Sequence, residues 1–171
     1  MKDFLTFNLS KIPYFRALLR AVESRFYQEL EMDGITLDLG CGDGQFAAST
    51  FEKAFTIGID PVESSLEEAK KTFAYSNIIQ AFGNRLPFLD ATFDCVISNS
   101  VLEHIQDIDL VIHEIARILK NGGNLYFCVP NPHFTKNLSI ALWLEKRRLI
   151  FLARKYRSFF KRWSCSSSDK P

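Results

Sequence analysis

Three glycines crowd into five positions at Gly40, Gly42 and Gly44, directly after the apolar run "TLDL". A residue without a side chain permits a sharp turn and lets another molecule approach the backbone closely. Between a strand and a helix, such a loop presents backbone N–H groups and a helix N-terminus to a ligand. The stretch therefore indicates a ligand-binding loop, with an ordinary tight turn as the plainer alternative.

Two carboxylates flank this loop and narrow the kind of ligand. Asp60 ends the run "FTIGID" twenty residues after Gly40, where it can accept hydrogen bonds from both hydroxyls of a ribose. Asp38 lies two residues before Gly40, and its charge suits a ligand that carries a positive charge, such as an ammonium or a sulfonium. Together the two acids predict a nucleoside-containing, cationic cofactor.

The glycine spacing bears on a nicotinamide cofactor. A dinucleotide fingerprint reads G-x-G-x-x-G, whereas this chain reads G-x-G-x-G and carries Gln45 where the third glycine would stand. A nicotinamide-dependent oxidoreductase domain therefore stays a less favoured alternative.

Candidate catalytic and metal-binding residues are few. His104 in "SVLEHI" is a weak candidate for a catalytic base, and its plainer interpretation is a helix-start residue satisfied by the backbone or by Glu103. His113 reads as a helix-surface residue, and His133 as a weak substrate-side candidate. The four cysteines are widely spaced and form no metal-ligand motif, so we expect no metal site and a reduced, cytoplasmic location.

Alternating strands and helices must position these residues. Apolar runs predict strands over 35–39, 55–60, 77–82, 94–98 and 124–129, and helical periodicity predicts helices over 14–30, 45–54, 61–76 and 109–120. In the helix over 14–30, a run of apolar residues at helical spacing predicts one buried face: Phe15, Leu18, Leu19, Val22, Phe26 and Leu30. The glycines at 122 and 123 are expected to end the last helix. This order predicts a doubly wound α/β fold with a mostly parallel sheet of about five strands and helices on both faces.

Composition limits the class of protein. The 171 residues are 47% hydrophobic and 24% charged, with a net charge of +1, which is typical of one globular domain. Such a charge argues against a protein built around nucleic acid, and we expect no nucleic-acid partner. No run is long enough to span a bilayer, and the first fifteen residues do not read as a secretory signal.

Four blocks of sequence together resemble one family. "LDLGCGDG", "GID", "LPFLDATFDCVISNSVLEHI" and "EIARILKNGGNLYFCVPNP" are similar to the class I S-adenosylmethionine-dependent methyltransferases, and most closely to the broad type 11 group, over about 37–132. The resemblance implies a Rossmann-like fold, S-adenosyl-L-methionine as the cofactor and a small-molecule methyl acceptor. Two alternatives stay open: an active enzyme, or a cofactor-binding protein that is catalytically incomplete.

The resemblance also implies a role for each matched residue. The three glycines would wrap the methionine part of the cofactor with Cys41 as a small filler, Asp38 would hold its ammonium, and Asp60 would bind the ribose. The loop after the third strand would hold the adenine, and Asn99 would line the methionine part and reactive methyl. The implied cofactor-binding set is Asp38, Gly40, Cys41, Gly42, Gly44, Asp60, Phe82, Gly83, Asn84 and Asn99.

One residue departs from the pattern of the family. Phe82 stands where the family usually has an aspartate that accepts a hydrogen bond from the adenine amine. Losing such a bond costs about 1.5–3 kcal/mol. The Gly83 backbone N–H, the Asn84 side chain and stacking by Phe82 can offset only part of that loss, so the sequence predicts weakened cofactor binding.

The C-terminal part departs from the family as well. Resembling proteins continue past the fifth strand with two more strands, which we expect this chain to lack, as a fragment, a truncated gene or a degraded copy would. We predict an N-terminal helical segment over 1–31, the cofactor-binding domain over 32–132, a basic amphipathic, lid-like helix over 133–163 and a disordered tail over 164–171. Residues 144–163 carry eight basic side chains against one acidic, which makes peripheral membrane contact an alternative to a lid. The oligomeric state is not indicated.

Overall fold

Five parallel strands form the centre of the molecule. The computed structural model describes residues 3–10, 14–30 and 32–130. Its sheet has the order β3-β2-β1-β4-β5, with every neighbouring pair parallel. The strands are β1 Thr36–Leu39, β2 Phe55–Asp60, β3 Tyr75–Gln80, β4 Phe93–Asn99 and β5 Leu119–Cys128. This sheet confirms the predicted α/β, doubly wound fold class; the predicted lid and tail lie outside the described residues.

Helices precede the sheet and connect its strands. They are α1 Phe4–Leu9, α2 Tyr14–Tyr27, α3 Gln45–Thr50, α4 Glu63–Lys70 and α5 Ile108–Ile118, with a short 3₁₀ turn at Leu102–His104. We did not predict α1 as a separate helix. Oδ1 of Asp3 accepts hydrogen bonds from the backbone N–H groups of Leu5 and Thr6 and so caps its start.

The sheet is buried on both faces. Leu37, Ile59 and Val96 pack with Ile115 of α5 in one core cluster. Phe55 and Ile97 pack with Tyr27 of α2 and Phe46 of α3 in the other cluster. Since β2 and β4 lie on opposite sides of β1, the chain diverges at the carboxyl end of β1, which is the place where open α/β sheets bind ligands.

The predicted buried face of α2 is wrong at three positions, although Leu30 does pack, partly buried, against the core. Leu18, Val22 and Phe26 are exposed, whereas the helix buries Ala17, Ala21, Ser24 and Tyr27. The hydroxyls of Ser24 and Thr50 lie 2.7 Å apart and join α2 to α3. Small side chains let the two helices approach closely, so close packing rather than the larger apolar stripe decides which face is buried.

Two boundaries also differ from the prediction. The fourth helix ends at Lys70 and β3 begins at Tyr75, since Phe73 adopts a left-handed conformation (φ +56°) that breaks the helix. Helix α5 ends at Ile118, and the Ile118 carbonyl accepts a hydrogen bond from the backbone N–H of Thr92. The glycines that we expected to end this helix instead lie in β5, whose register with β4 shifts between Phe93 and Cys95.

Candidate functional site

The glycine loop and the acid at the end of β2 lie in direct contact. Backbone N–H groups of Gly40 and Cys41 donate to the Ile59 carbonyl at 2.8 and 2.9 Å. The Gly42 N–H donates to Oδ2 of Asp60 at 3.0 Å, and the Val62 N–H donates to Oδ1 at 2.9 Å. Both carboxylate oxygens are thus fixed by the backbone, and each keeps lone-pair capacity for a ribose hydroxyl.

Two of the glycines are required for different reasons. Gly40 has φ +80°, and a Cβ there would lie 2.4 Å from Cγ2 of Val101. Gly42 has φ +53°, and a Cβ there would meet no atom within 4 Å. The first glycine therefore permits tight packing, whereas the second leaves an open side from which a ligand can approach the backbone beside Asp60.

Asp38 is a buried carboxylate at the penultimate position of β1, two residues before Gly40. It is only 3% exposed, and the Tyr75 hydroxyl donates to its Oδ2 at 2.7 Å. Burial raises the pKa of Asp38 to about 6, although the hydrogen bond from Tyr75 and the nearby Arg20 charge act in the opposite direction. Burial also raises the pKa of the Cys41 thiol, which favours a packing role over a reactive one. A cationic ligand would stabilise the ionised form of Asp38.

The loop after β3 continues the same edge of the sheet. The Ala81 N–H donates to the Asp60 carbonyl at 3.3 Å, so Phe82 follows directly beside the end of β2. Phe82 is 68% exposed, and its ring is open to a planar ligand. Asn84 is exposed as well, and a Cβ added to Gly83 would lie 3.3 Å from Val111.

Helix α5 holds the segment that follows this loop. The Arg117 guanidinium donates to the carbonyls of Leu86 and Phe88 at 3.1 and 2.8 Å. Oε2 of Glu114 accepts from the Leu86 N–H at 2.7 Å, and the hydrogen bonds from Arg117 and Leu86 hold the pKa of this carboxyl at about 2. These contacts hold residues 86–88, which follow the loop after β3, against α5.

The end of β4 brings Asn99 next to the end of β1. The Ser98 hydroxyl donates to the Leu39 carbonyl at 3.1 Å, which ties the two strand ends together. Nδ2 of Asn99 donates to Oε2 of Glu23 at 3.0 Å, and the Ser100 hydroxyl donates to Oε1 of Glu23 at 3.1 Å. Glu23 also pairs with Arg20 at 2.7 Å.

Sequence reasoning missed this contribution of α2. The spacing of Arg20 and Glu23 by three residues signals only a helical ion pair. No pattern in the sequence connects Glu23 to a strand end that lies 76 residues further along the chain.

His104 occupies the last position of the 3₁₀ turn that follows β4. Its ring is exposed, and Nε2 lies 3.9 Å from Oε1 of Glu103. Burial raises the pKa of Glu103. A catalytic role for His104 stays a prediction; His113 is exposed on α5, and His133 lies outside the described residues.

The rest of the described chain shows few features of a second binding site. A cleft of about 830 Å³ is lined by Tyr27, Phe51, Lys53 and neighbouring residues, none of which belongs to the glycine loop. Among the described residues, no three His, Cys, Asp or Glu side chains are grouped so as to hold a metal ion. None of the helices in this part of the chain combines the length and apolar character needed to cross a membrane.

Comparison with known proteins agrees with this geometry. The model of the methyltransferase domain family matches residues 37–127. The chain is 36% identical over 110 residues to a ubiquinone/menaquinone biosynthesis C-methyltransferase of Desulfotalea psychrophila, covering 61% of this chain and 44% of the relative. It is 29% identical over 130 residues to a ubiquinone biosynthesis O-methyltransferase of Mesorhizobium japonicum, covering 73% of this chain and 52% of the relative.

A solved structure is also similar to this chain. The crystal structure of an S-adenosylmethionine-dependent methyltransferase from Thermotoga maritima has 26% identity and a TM-score of 0.58. The match covers 73% of this chain and 59% of that protein. The chain spans about half the length of the curated relatives that it matches.

Proposed function

The chain belongs to the methyltransferase domain family, and we propose that it transfers a methyl group from S-adenosylmethionine to a small-molecule acceptor. The contact between Gly42 and Asp60 carries the proposal, because it places an open stretch of backbone beside a fixed carboxylate. The residues that would hold the nucleoside and the amino-acid part of the cofactor then lie along one edge of the sheet.

When bound, S-adenosylmethionine would supply a methyl group already activated by its sulfonium, and transfer of that methyl to the acceptor would leave a neutral thioether. The protein then has to bind, align and exclude water rather than activate a leaving group. Asp60 would grip the ribose, and Asp38 would balance the positive charge of the amino-acid end. A base is needed only for an acceptor that must lose a proton, and His104 is the candidate for that step.

We expect this chain to bind the adenine part of the cofactor weakly. An exposed Phe82 supplies a stacking surface, but it cannot accept a hydrogen bond from the adenine amine. Binding in this part of the site would then depend on stacking and on backbone groups of the loop after β3.

The acceptor class is proposed from the relatives. The two relatives described above are methyltransferases of quinone biosynthesis, one a C-methyltransferase and the other an O-methyltransferase. A hydroquinone lacking the methyl group is therefore the first acceptor to test, as one member of a panel of phenols and carboxylic acids.

An assay of methyl transfer distinguishes an active enzyme from a catalytically incomplete binding protein. An enzyme should move radiolabel from S-adenosylmethionine to at least one member of the panel, and the transfer should fall sharply in an Asp60→Ala variant. A catalytically incomplete binding protein should bind the cofactor and label none of the acceptors.

The basic segment over 133–163 lies outside the described residues, and a lid role for it stays a prediction. We propose the cytoplasm as the location of the protein. Contact between 144–163 and anionic lipid is the alternative, since this stretch combines eight basic side chains with several aromatic ones. Co-sedimentation with anionic but not neutral vesicles would favour the lipid contact; no co-sedimentation with either would remove it.

A further inference from the structure

We propose that Glu23 of α2 is a positioning residue: it fixes the side-chain amide of Asn99 so that Oδ1 is kept as an acceptor for the ammonium group of the cofactor. This inference rests on the proposed function. It gives α2 an indirect part, through Asn99, in holding the amino-acid end of the cofactor.

The first support is an unpartnered polar atom. Asn99 is 8% exposed, and its Oδ1 is buried without a hydrogen-bond partner among the described residues. Buried polar atoms are nearly always paired in folded proteins, so an exception asks for an explanation. An ammonium donor from a ligand would satisfy this oxygen.

The second support is the direction in which the amide is held. Nδ2 of Asn99 donates to Oε2 of Glu23 at 3.0 Å. An ionised carboxylate only accepts hydrogen bonds, so a flipped amide would set Oδ1 of Asn99 against an oxygen of Glu23. Glu23 thus leaves one arrangement of the amide, in which the oxygen is available to a ligand.

Glu23 is itself held firmly enough to do this. Oε1 accepts from the Ser100 hydroxyl at 3.1 Å, and Arg20 pairs with Oε2 at 2.7 Å. Ser100 has φ +57°, and its N–H donates to the Cys128 carbonyl at 2.8 Å. Both carboxylate oxygens are therefore engaged, and the strained turn after β4 is tied to α2 and to β5.

The third support is the position of Asn99 near Asp38. Ile97, two residues earlier on β4, pairs in register with Asp38 on β1. The unpartnered oxygen of Asn99 and the buried acid of Asp38 thus lie near the carboxyl ends of the neighbouring strands β4 and β1.

The test compares two ligands that differ only at the amino-acid end. S-adenosylhomocysteine carries the ammonium and carboxylate, whereas 5′-methylthioadenosine has the same nucleoside and sulfur without them. Glu23→Met keeps the length of the side chain and a good helix former but removes the acceptor. Calorimetry should show roughly tenfold weaker binding of S-adenosylhomocysteine and less than about twofold change for methylthioadenosine.

Further variants serve as controls for the effect of Glu23→Met on binding. Glu23→Gln, which retains one acceptor oxygen, should recover part of the loss, and Glu29→Met, an exposed glutamate just after α2, should change neither affinity. In an Asn99→Ala background, Glu23→Met should add little. Equal weakening of both ligands, or no weakening of either, would overturn the inference.

Failures at different levels can be told apart. If the wild-type chain binds neither ligand, the proposed function fails. If Glu23→Met does not fold, Glu23→Gln is read by the same ratio: a selective loss for S-adenosylhomocysteine supports the inference, and an equal loss or no loss overturns it.

Discussion

The hydroxyl of Tyr75 reaches Oδ2 of Asp38 at 2.7 Å by laying its ring over Gly58, where an added Cβ would come within 2.8 Å of the ring. Gly58→Ala should therefore push the ring away and separate the two groups. We expect a loss of about 1–3 kcal/mol in the free energy of unfolding, together with weaker cofactor binding. Denaturant unfolding and calorimetry measure both effects; an unchanged midpoint would show that the ring is not needed there.

Asp38 should make the free protein less stable as the pH rises. Its pKa of about 6 exceeds the ordinary value of 3.8, so the folded state holds a proton that the unfolded state releases. The stability that this proton contributes is complete below pH 4 and is lost as the pH rises through 6. The loss is up to about 3 kcal/mol.

Asp38→Asn removes this titration and keeps the shape of the side chain. The variant should be more stable than the wild type at pH 8 and similar to it at pH 4, and it should bind S-adenosylhomocysteine poorly. Thermal unfolding at the two pH values measures the difference; a constant gap between the two proteins would contradict the assignment.

Tyr27→Phe should separate stability from binding. The Tyr27 hydroxyl is buried without a partner among the described residues, so removing it should raise the stability of the free protein by roughly 1 kcal/mol. The increase in melting temperature caused by S-adenosylhomocysteine should stay unchanged, since Tyr27 lines a cleft that contains no residue of the glycine loop. A large loss of stability in the free protein would instead show that this hydroxyl already has a partner.

Phe82→Asp should strengthen cofactor binding by restoring an acceptor for the adenine amine. A gain of roughly tenfold in affinity is expected from a hydrogen bond of this kind. Phe73→Asp is the matched control, because Phe73 is also exposed but precedes β3, at the opposite end of that strand. Equal affinities for the two variants would reject the adenine assignment.

Much of the site could be predicted because parallel topology brings strand ends together. Once "TLDL" and "FTIGID" read as neighbouring strands, the glycine loop and Asp60 had to meet, and the Gly42 N–H does donate to that carboxylate. The roles of the individual side chains toward the cofactor stay predictions.

The parts that the sequence did not reveal depend on packing between distant segments. The sequence predicts a helix that runs past Tyr75, because nothing local shows that Phe73 turns the chain three residues after α4 ends at Lys70. The contact between Glu23 and Asn99 depends on which face of α2 is buried, and the small residues that decide this, Ala17 and Ala21, look weaker than the exposed stripe at Leu18 and Val22.

A calorimetric titration with S-adenosylhomocysteine tests the central claim most directly, with NAD as the competing ligand and Asp60→Ala as the control. The account predicts saturable binding at one site per chain, lost in the variant, and no heat from NAD. Binding of NAD without S-adenosylhomocysteine, or an affinity for S-adenosylhomocysteine unchanged by Asp60→Ala, would contradict it.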